Sequence, residues 1–212
     1  RDLLLFPSTA SDKLTSLAEY VERMKEGQEY IYYVCADSAA QAASLPQVER
    51  VADRGFEILC LTEEVDEFVM QALAEVDGKK IKSVSDPDAL PETDEEKAQQ
   101  EKQAEESKAV LDFVKETLGD KIKEARISKI LKSAPVCMTA YGPMSLEMEK
   151  YFSRMEGAQA GMMKAERVLE LNPNSDAFAA LRAAVDSGDK EKAATYVQVL
   201  YHQALLIAGL PI

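Results

Sequence analysis

The chain has 212 residues and a mass of 23.4 kDa, enough for one sizeable domain or two small ones that bury a core without staples. Its composition, 46% hydrophobic, 30% charged and 7% aromatic with no Trp, excludes the disordered and fibrous classes. Lys+Arg 25 against Asp+Glu 38 leaves a net charge of −13, which repels phosphate backbones and anionic lipid and argues against nucleic acid or a membrane as partner.

Leu17, Tyr20, Val21 and Met24 recur at helical spacing behind Ser16 and Glu19, a capping-box pair, and Gly27 stands where that helix would end. Tyr30 to Val34 is aromatic and β-branched throughout, as a strand covered on both faces would be. Ser38 to Arg54 reads as helix, with Pro46 opening a fresh turn and Gly55 closing it, and leads into a second buried strand, Phe56 to Leu61. Glu64 to Glu75 reads as a further helix, Asp77-Gly78 as a turn, and Ile81 to Val84 as a third strand. Strands alternating with helices of this length predict a small parallel or mixed α/β sheet.

Asp86-Pro87-Asp88 and Pro91 then punctuate the chain, and residues 92 to 107 carry 7 acids and 2 lysines with no large apolar residue. Thr93 and Glu96 form a second capping-box pair, and Val110, Leu111, Val114 and Leu118 make an apolar face, so one long helix is expected, solvated first and packed later. Lys121 to Ile127 and Val136 to Ala140 read as strands. Ser145 to Met155, Met162 to Leu171, Ser175 to Val185 and Asp189 to Ala208 read as helices. The fold class expected is a small α/β subdomain followed by a mostly helical α+β domain, joined by a long charged helix.

Chemistry is sparse. The sequence holds no Gly-rich phosphate cradle of the dinucleotide or P-loop type, no HExxH, no CxxC and no GxSxG, so no catalytic, cofactor-binding or metal site is expected. His202, the only histidine, has no second His for a shared metal and reads as a packed helix residue. Cys35, at a strand end ahead of a helix, is the best nucleophile candidate, although a thiol that continues an apolar strand is more simply structural. Three widely spaced cysteines, Cys35, Cys60 and Cys137, suit free thiols in a reducing compartment, and a cytoplasmic location is expected. What stands out is sulfur and aromatic surface: Met144, Met148, Tyr151, Phe152 and Met155 share one helical face behind a Gly142-Pro143 break. That face is either a core stripe or an adaptable binding surface, since flexible, polarizable Met recurs where many partners are accommodated.

The segments Thr15 to Ser38 (TSLAEYVERMKEGQEYIYYVCADS), Arg54 to Phe68 (RGFEILCLTEEVDEF) and Asp77 to Lys80 (DGKK) resemble the later middle domain of the ninety-kilodalton heat-shock chaperones. Ile127 to Pro135 (ISKILKSAP), Gly161 to Pro173 (GMMKAERVLELNP) and Gln203 to Pro211 (QALLIAGLP) resemble that family's C-terminal domain, and the short Thr139 to Ser145 connection favours its bacterial type. The resemblance implies a stress-response, ATP-dependent folding chaperone that binds unfolded or partly folded client proteins, acts as a homodimer and works with co-chaperones. It places the end of the middle domain at residues 1–91, a connecting helix at 92–118 and the client-binding and dimerisation domain at 119–212, with the final helix missing.

On this reading the chain is a fragment that lacks the nucleotide-binding domain and is not an enzyme, with ATP and Mg in a missing N-terminal domain. The resemblance also carries client contacts onto Glu67, Phe68, Met144, Met148, Tyr151 and Phe152. Phe68 stands where Trp is usual, and Tyr151 where an aliphatic residue is. The helix toward the C-terminus offers Val197, Leu200, Tyr201, Ala204 and Leu205 as a dimer-interface face. The alternatives are an enzyme with a Cys35 nucleophile and a purely structural dimerisation module.

Overall fold

A computed structural model describes residues 3–63, 65–154 and 164–212. The chain divides into two compact units, 1–90 and 91–212.

In the first unit, a mixed sheet carries the core. β3 (Tyr30–Cys35) lies at its centre, parallel to β4 (Ile58–Leu61) on one side and to β6 (Lys79–Ser83) on the other, and β5 (Glu75–Val76) closes the β6 edge antiparallel. The β5–β6 turn is Asp77-Gly78 with φ of 49° and 76°, the two positive φ angles a tight primed hairpin turn needs, which Asp and Gly tolerate best. Side chains alternate across the sheet. Tyr32, Val34, Ile58 and Cys60 pack under α2 (Ala39–Ser44) and α3 (Glu49–Asp53), while Ile31, Tyr33, Leu59 and Leu61 pack with α1 (Leu17–Glu22) and α4 (Asp66–Leu73). The two-stranded pair β1 (Leu5–Phe6) and β2 (Thr15–Ser16) precedes α1. Residues 7–9 then line the outer edge of β4, where the Cys60 amide donates to Pro7 O at 2.8 Å and the Thr9 amide to Ile58 O at 3.0 Å. An edge is thereby covered by a segment whose proline could not have served inside the sheet.

Both capping boxes form: Ser16 and Glu19 exchange hydrogen bonds at the start of α1, and Thr93 and Glu96 do so at the start of α5 (Asp94–Glu106). The helix expected over Ser38 to Arg54 is divided by a 3-10 turn at Pro46–Val48, because Pro46 opens a new turn as its fixed φ allows. The expected helix from Glu64 ends earlier than read, at Leu73, where the chain turns into β5; Glu64 itself lies outside the described residues.

In the second unit the long charged helix is two helices, α5 (Asp94–Glu106) and α6 (Lys108–Leu118), and both belong to this unit rather than standing apart as a connector. Ser107 stands between them: it is fully buried, and its Oγ accepts from Arg182 Nη2 at 3.0 Å. α5 buries no residue, whereas α6 buries Val110, Val114 and Leu118. A three-stranded sheet runs β7 (Glu124–Ile127), β9 (Glu166–Leu171), β8 (Val136–Tyr141), with β9 central, parallel to β7 and antiparallel to β8. One face, with Ile127, Val136, Met138, Leu169 and Leu171, packs with α6, α8 (Asp176–Asp186) and α9 (Lys190–Ile207).

Two expectations are corrected here. The helix read over Met162 to Leu171 is instead strand β9 from Glu166, since Leu169 and Leu171 turn to one face while the fully buried Glu170 turns to the other; Met162 lies outside the described residues. The strand read from Lys121 begins only at Glu124, after a 3-10 turn at Gly119–Lys121.

Candidate functional site

The sulfur-aromatic segment forms α7 (Leu146–Arg154), started by Ser145, whose hydroxyl accepts from the Met148 amide at 3.0 Å. Ahead of it Gly142 takes φ 85°, a left-handed bend that glycine accepts without a Cβ penalty, and Pro143 blocks helix on that side. Met144, Tyr151 and Phe152 are half-buried, and the Tyr151 and Phe152 rings meet edge-to-face with centroids 5.6 Å apart. Met148 corrects the expectation of an exposed face: only 8% of it is accessible. Its neighbour Glu149 is buried as well, pairing with Arg167 Nη2 of β9 at 2.6 Å and accepting the Ala165 amide at 3.1 Å. Burial alone would lower the Arg167 pKa, but the hydrogen bond and charge of Glu149, with Tyr201 of α9, outweigh it and raise it. Met155, the last residue of the expected face, lies outside the described residues.

The proposed acidic-aromatic pair sits on α4. Glu67 is buried and takes a long hydrogen bond of 3.5 Å from the Tyr33 hydroxyl, while Phe68 is half-buried. Burial raises the Tyr33 pKa, and the nearby Glu67, Cys35 and Asp86 raise it further. Burial likewise pushes the Cys60 and Cys137 thiols up. His202 is half-buried beside the Tyr201 ring in the second unit, whereas Cys35 belongs to the first. Among the described residues no group of His, Cys, Asp and Glu could hold a metal ion, and no helix is long and apolar enough to cross a membrane.

The expected dimer face on α9 is also corrected. Val197, Leu200, Tyr201, Ala204 and Leu205 are buried in the unit's own core with α6, α8 and the sheet, because their stripe is the one that closes that core. The apolar side chains that α9 leaves exposed are Val199 and Leu206, at 59% and 65%, seven residues apart on its outer side. Periodicity alone pointed to the buried stripe and could not mark these two.

Residues 1–212 match the family described as Hsp90 protein. The chain is 49% identical over its whole length to the chaperone protein HtpG of Bacillus subtilis (strain 168), 49% to that of Shouchella clausii, and 46% to that of Clostridium acetobutylicum. In each case it spans about a third of the relative's length, 33%. The chain belongs to the Hsp90 protein family. One expectation is corrected by this match: that the chain lacks the nucleotide-binding domain and is no enzyme, with ATP and Mg in a missing N-terminal domain. The family match runs over all of residues 1–212, so the exclusion of nucleotide from this chain does not stand. The lack of a dinucleotide or P-loop cradle excludes only those two kinds of phosphate site.

Proposed function

We propose that this chain serves in a bacterial-type, ATP-dependent Hsp90 chaperone of the cytoplasm, as its later middle and C-terminal portion, and that it holds partly unfolded client proteins. The observation that carries this reading is α7: a short, well-capped helix that offers Met144, Tyr151 and Phe152 half-exposed around a buried Met148. A chaperone must hold many unrelated apolar segments weakly, and flexible sulfur side chains with a few aromatic anchors suit that better than one shaped pocket. Phe68 on α4, half-buried, adds an aromatic contact, whereas Glu67 is already buried against Tyr33.

The Tyr151→Ala, Phe152→Ala double variant is expected to weaken capture of a partly unfolded protein by about 1–3 kcal/mol while the melting temperature stays nearly unchanged, since half-exposed side chains contribute little to a fold. Melting and capture measured on the same protein decide the matter. Unaltered capture, or a large loss of stability, would assign these rings to packing alone.

Homodimerisation is proposed to use the outer side of α9, with Val199 and Leu206, because the inner stripe is already consumed by the core. Leu206→Glu is expected to lower the average mass in light scattering without lowering the melting temperature, whereas an unchanged mass at all concentrations would exclude this face.

A further inference from the structure

Resting on the reading of α7 as a client surface, the geometry points to a polar latch: the Glu149–Arg167 pair holds α7 down, covers Met148, and sets how much of that surface a client meets. The two side chains are 9% and 18% exposed, on adjacent elements, α7 and β9. Glu149 is satisfied twice, by Arg167 Nη2 at 2.6 Å and by the Ala165 amide at 3.1 Å. One residue further on, Lys150 reaches the end of α9: a Cβ at Gly209 would stand 3.4 Å from its Nζ. Lys150 is also paired with Glu147 at 2.6 Å.

α7 is therefore tied to β9 by a buried ion pair, and through Leu146 at its start it also meets the apolar core that joins α6, α8 and α9 to the sheet. The ion pair makes a two-state element. Apolar packing weakens gradually as atoms separate, but a buried ion pair is favourable only while its geometry holds, and removing one partner leaves the other charge without compensation. Opening the latch returns Glu149 and Arg167 to water and presents Met148 beside Tyr151 and Phe152, which completes the sulfur-aromatic face. In the closed state the same Met is withheld. The device suits a chaperone, because a constantly exposed apolar face would invite self-association.

The test uses the whole chain with Met148→Cys as a reporter, alkylation at each cysteine being followed by mass spectrometry. Adding Glu149→Gln, which keeps an acceptor for the Ala165 amide but removes the charge, is expected to speed alkylation at position 148 by about tenfold or more. Reversing the pair, Glu149→Arg with Arg167→Glu, is expected to return the rate toward that of the reporter alone. Cys137, in β8 and fully buried, is the internal control. If Cys137 becomes reactive together with position 148, the whole unit has opened and there is no local latch. An unchanged rate at position 148 also overturns the proposal. Client capture, measured on the same variants, is expected to rise with the alkylation rate. A rise in alkylation without a rise in capture would leave the latch standing and remove α7 as the client surface.

Discussion

Replacing Glu170 with alanine is expected to destabilise the second unit by about 2–4 kcal/mol, read from the shift in its denaturation midpoint. Glu170 is fully buried in the central strand β9, on the face of the sheet away from the main core. Its carboxylate takes Arg126 Nη2 at 2.6 Å, the Ser128 hydroxyl at 2.8 Å and the Thr139 hydroxyl at 2.9 Å, which joins β7, β8, β9 and the turn after β7 through one side chain. Ser128 Oγ in turn accepts the Ile130 and Leu131 amides, so the network also seats the small apolar cluster of Ile130, Leu131 and Cys137. Removing the acid leaves two hydroxyls without this acceptor and leaves the half-buried guanidinium to the more distant Glu124, at 3.4 Å. The expected cost stays below the top of the range for buried pairs because Arg126 is 28% exposed and can reach water. The double variant with Arg126→Met is expected to recover most of the loss, since the uncompensated charge is then gone. If the single variant is neutral, the network contributes nothing to the fold.

Tyr20→Phe is expected to destabilise the first unit by about 2–3 kcal/mol, again measured by denaturation. The hydroxyl lies on a fully buried side chain and makes three hydrogen bonds: it donates to Glu57 O at 2.5 Å and accepts from Gln28 Nε2 at 2.8 Å and from the Tyr32 amide at 3.0 Å. Phe keeps the ring packing and deletes only the oxygen. Two buried donors then lose their acceptor, and an unpaired buried polar group costs about 1–3 kcal/mol. Burial raises the Tyr20 pKa so far that the phenol stays neutral and goes on donating to Glu57 across the ordinary pH range, so the loss is expected to be the same at pH 6 and pH 9. A loss below about 0.5 kcal/mol, which is typical of an exposed substitution, would show that the hub is replaced by water.

Much of the local structure was legible in the residues because its causes are local. Ser16 with Glu19 and Thr93 with Glu96 start helices through bonds spanning three residues, and Asp77-Gly78 makes a hairpin turn because those two residues tolerate positive φ. The strand pattern of Tyr30–Cys35 and Ile58–Leu61 likewise carries its own two-faced burial. The long resemblance to Hsp90 chaperones was also a property of the sequence alone, and the family match over residues 1–212 agrees with it.

Where distant parts of the chain had to meet, the residues could not say. The stretch at Val168 to Leu171 suits a short buried helix as well as a strand, and it is a strand because β7 and β8 pair with it on both sides. The charged helix changes at Ser107 from a solvated to a packed segment, and there Arg182, 75 positions away, hydrogen-bonds the serine hydroxyl. α9 buries the Val197 to Leu205 stripe and leaves Val199 and Leu206 outside because the core of α6, α8 and the sheet lies on that side. Met148 is covered rather than offered, and beside it Glu149 finds Arg167 on β9, 18 residues along the chain. Hydrophobic spacing marks which residues share a face, and only the packing of partners far apart in sequence decides whether that face meets the core, a client or water.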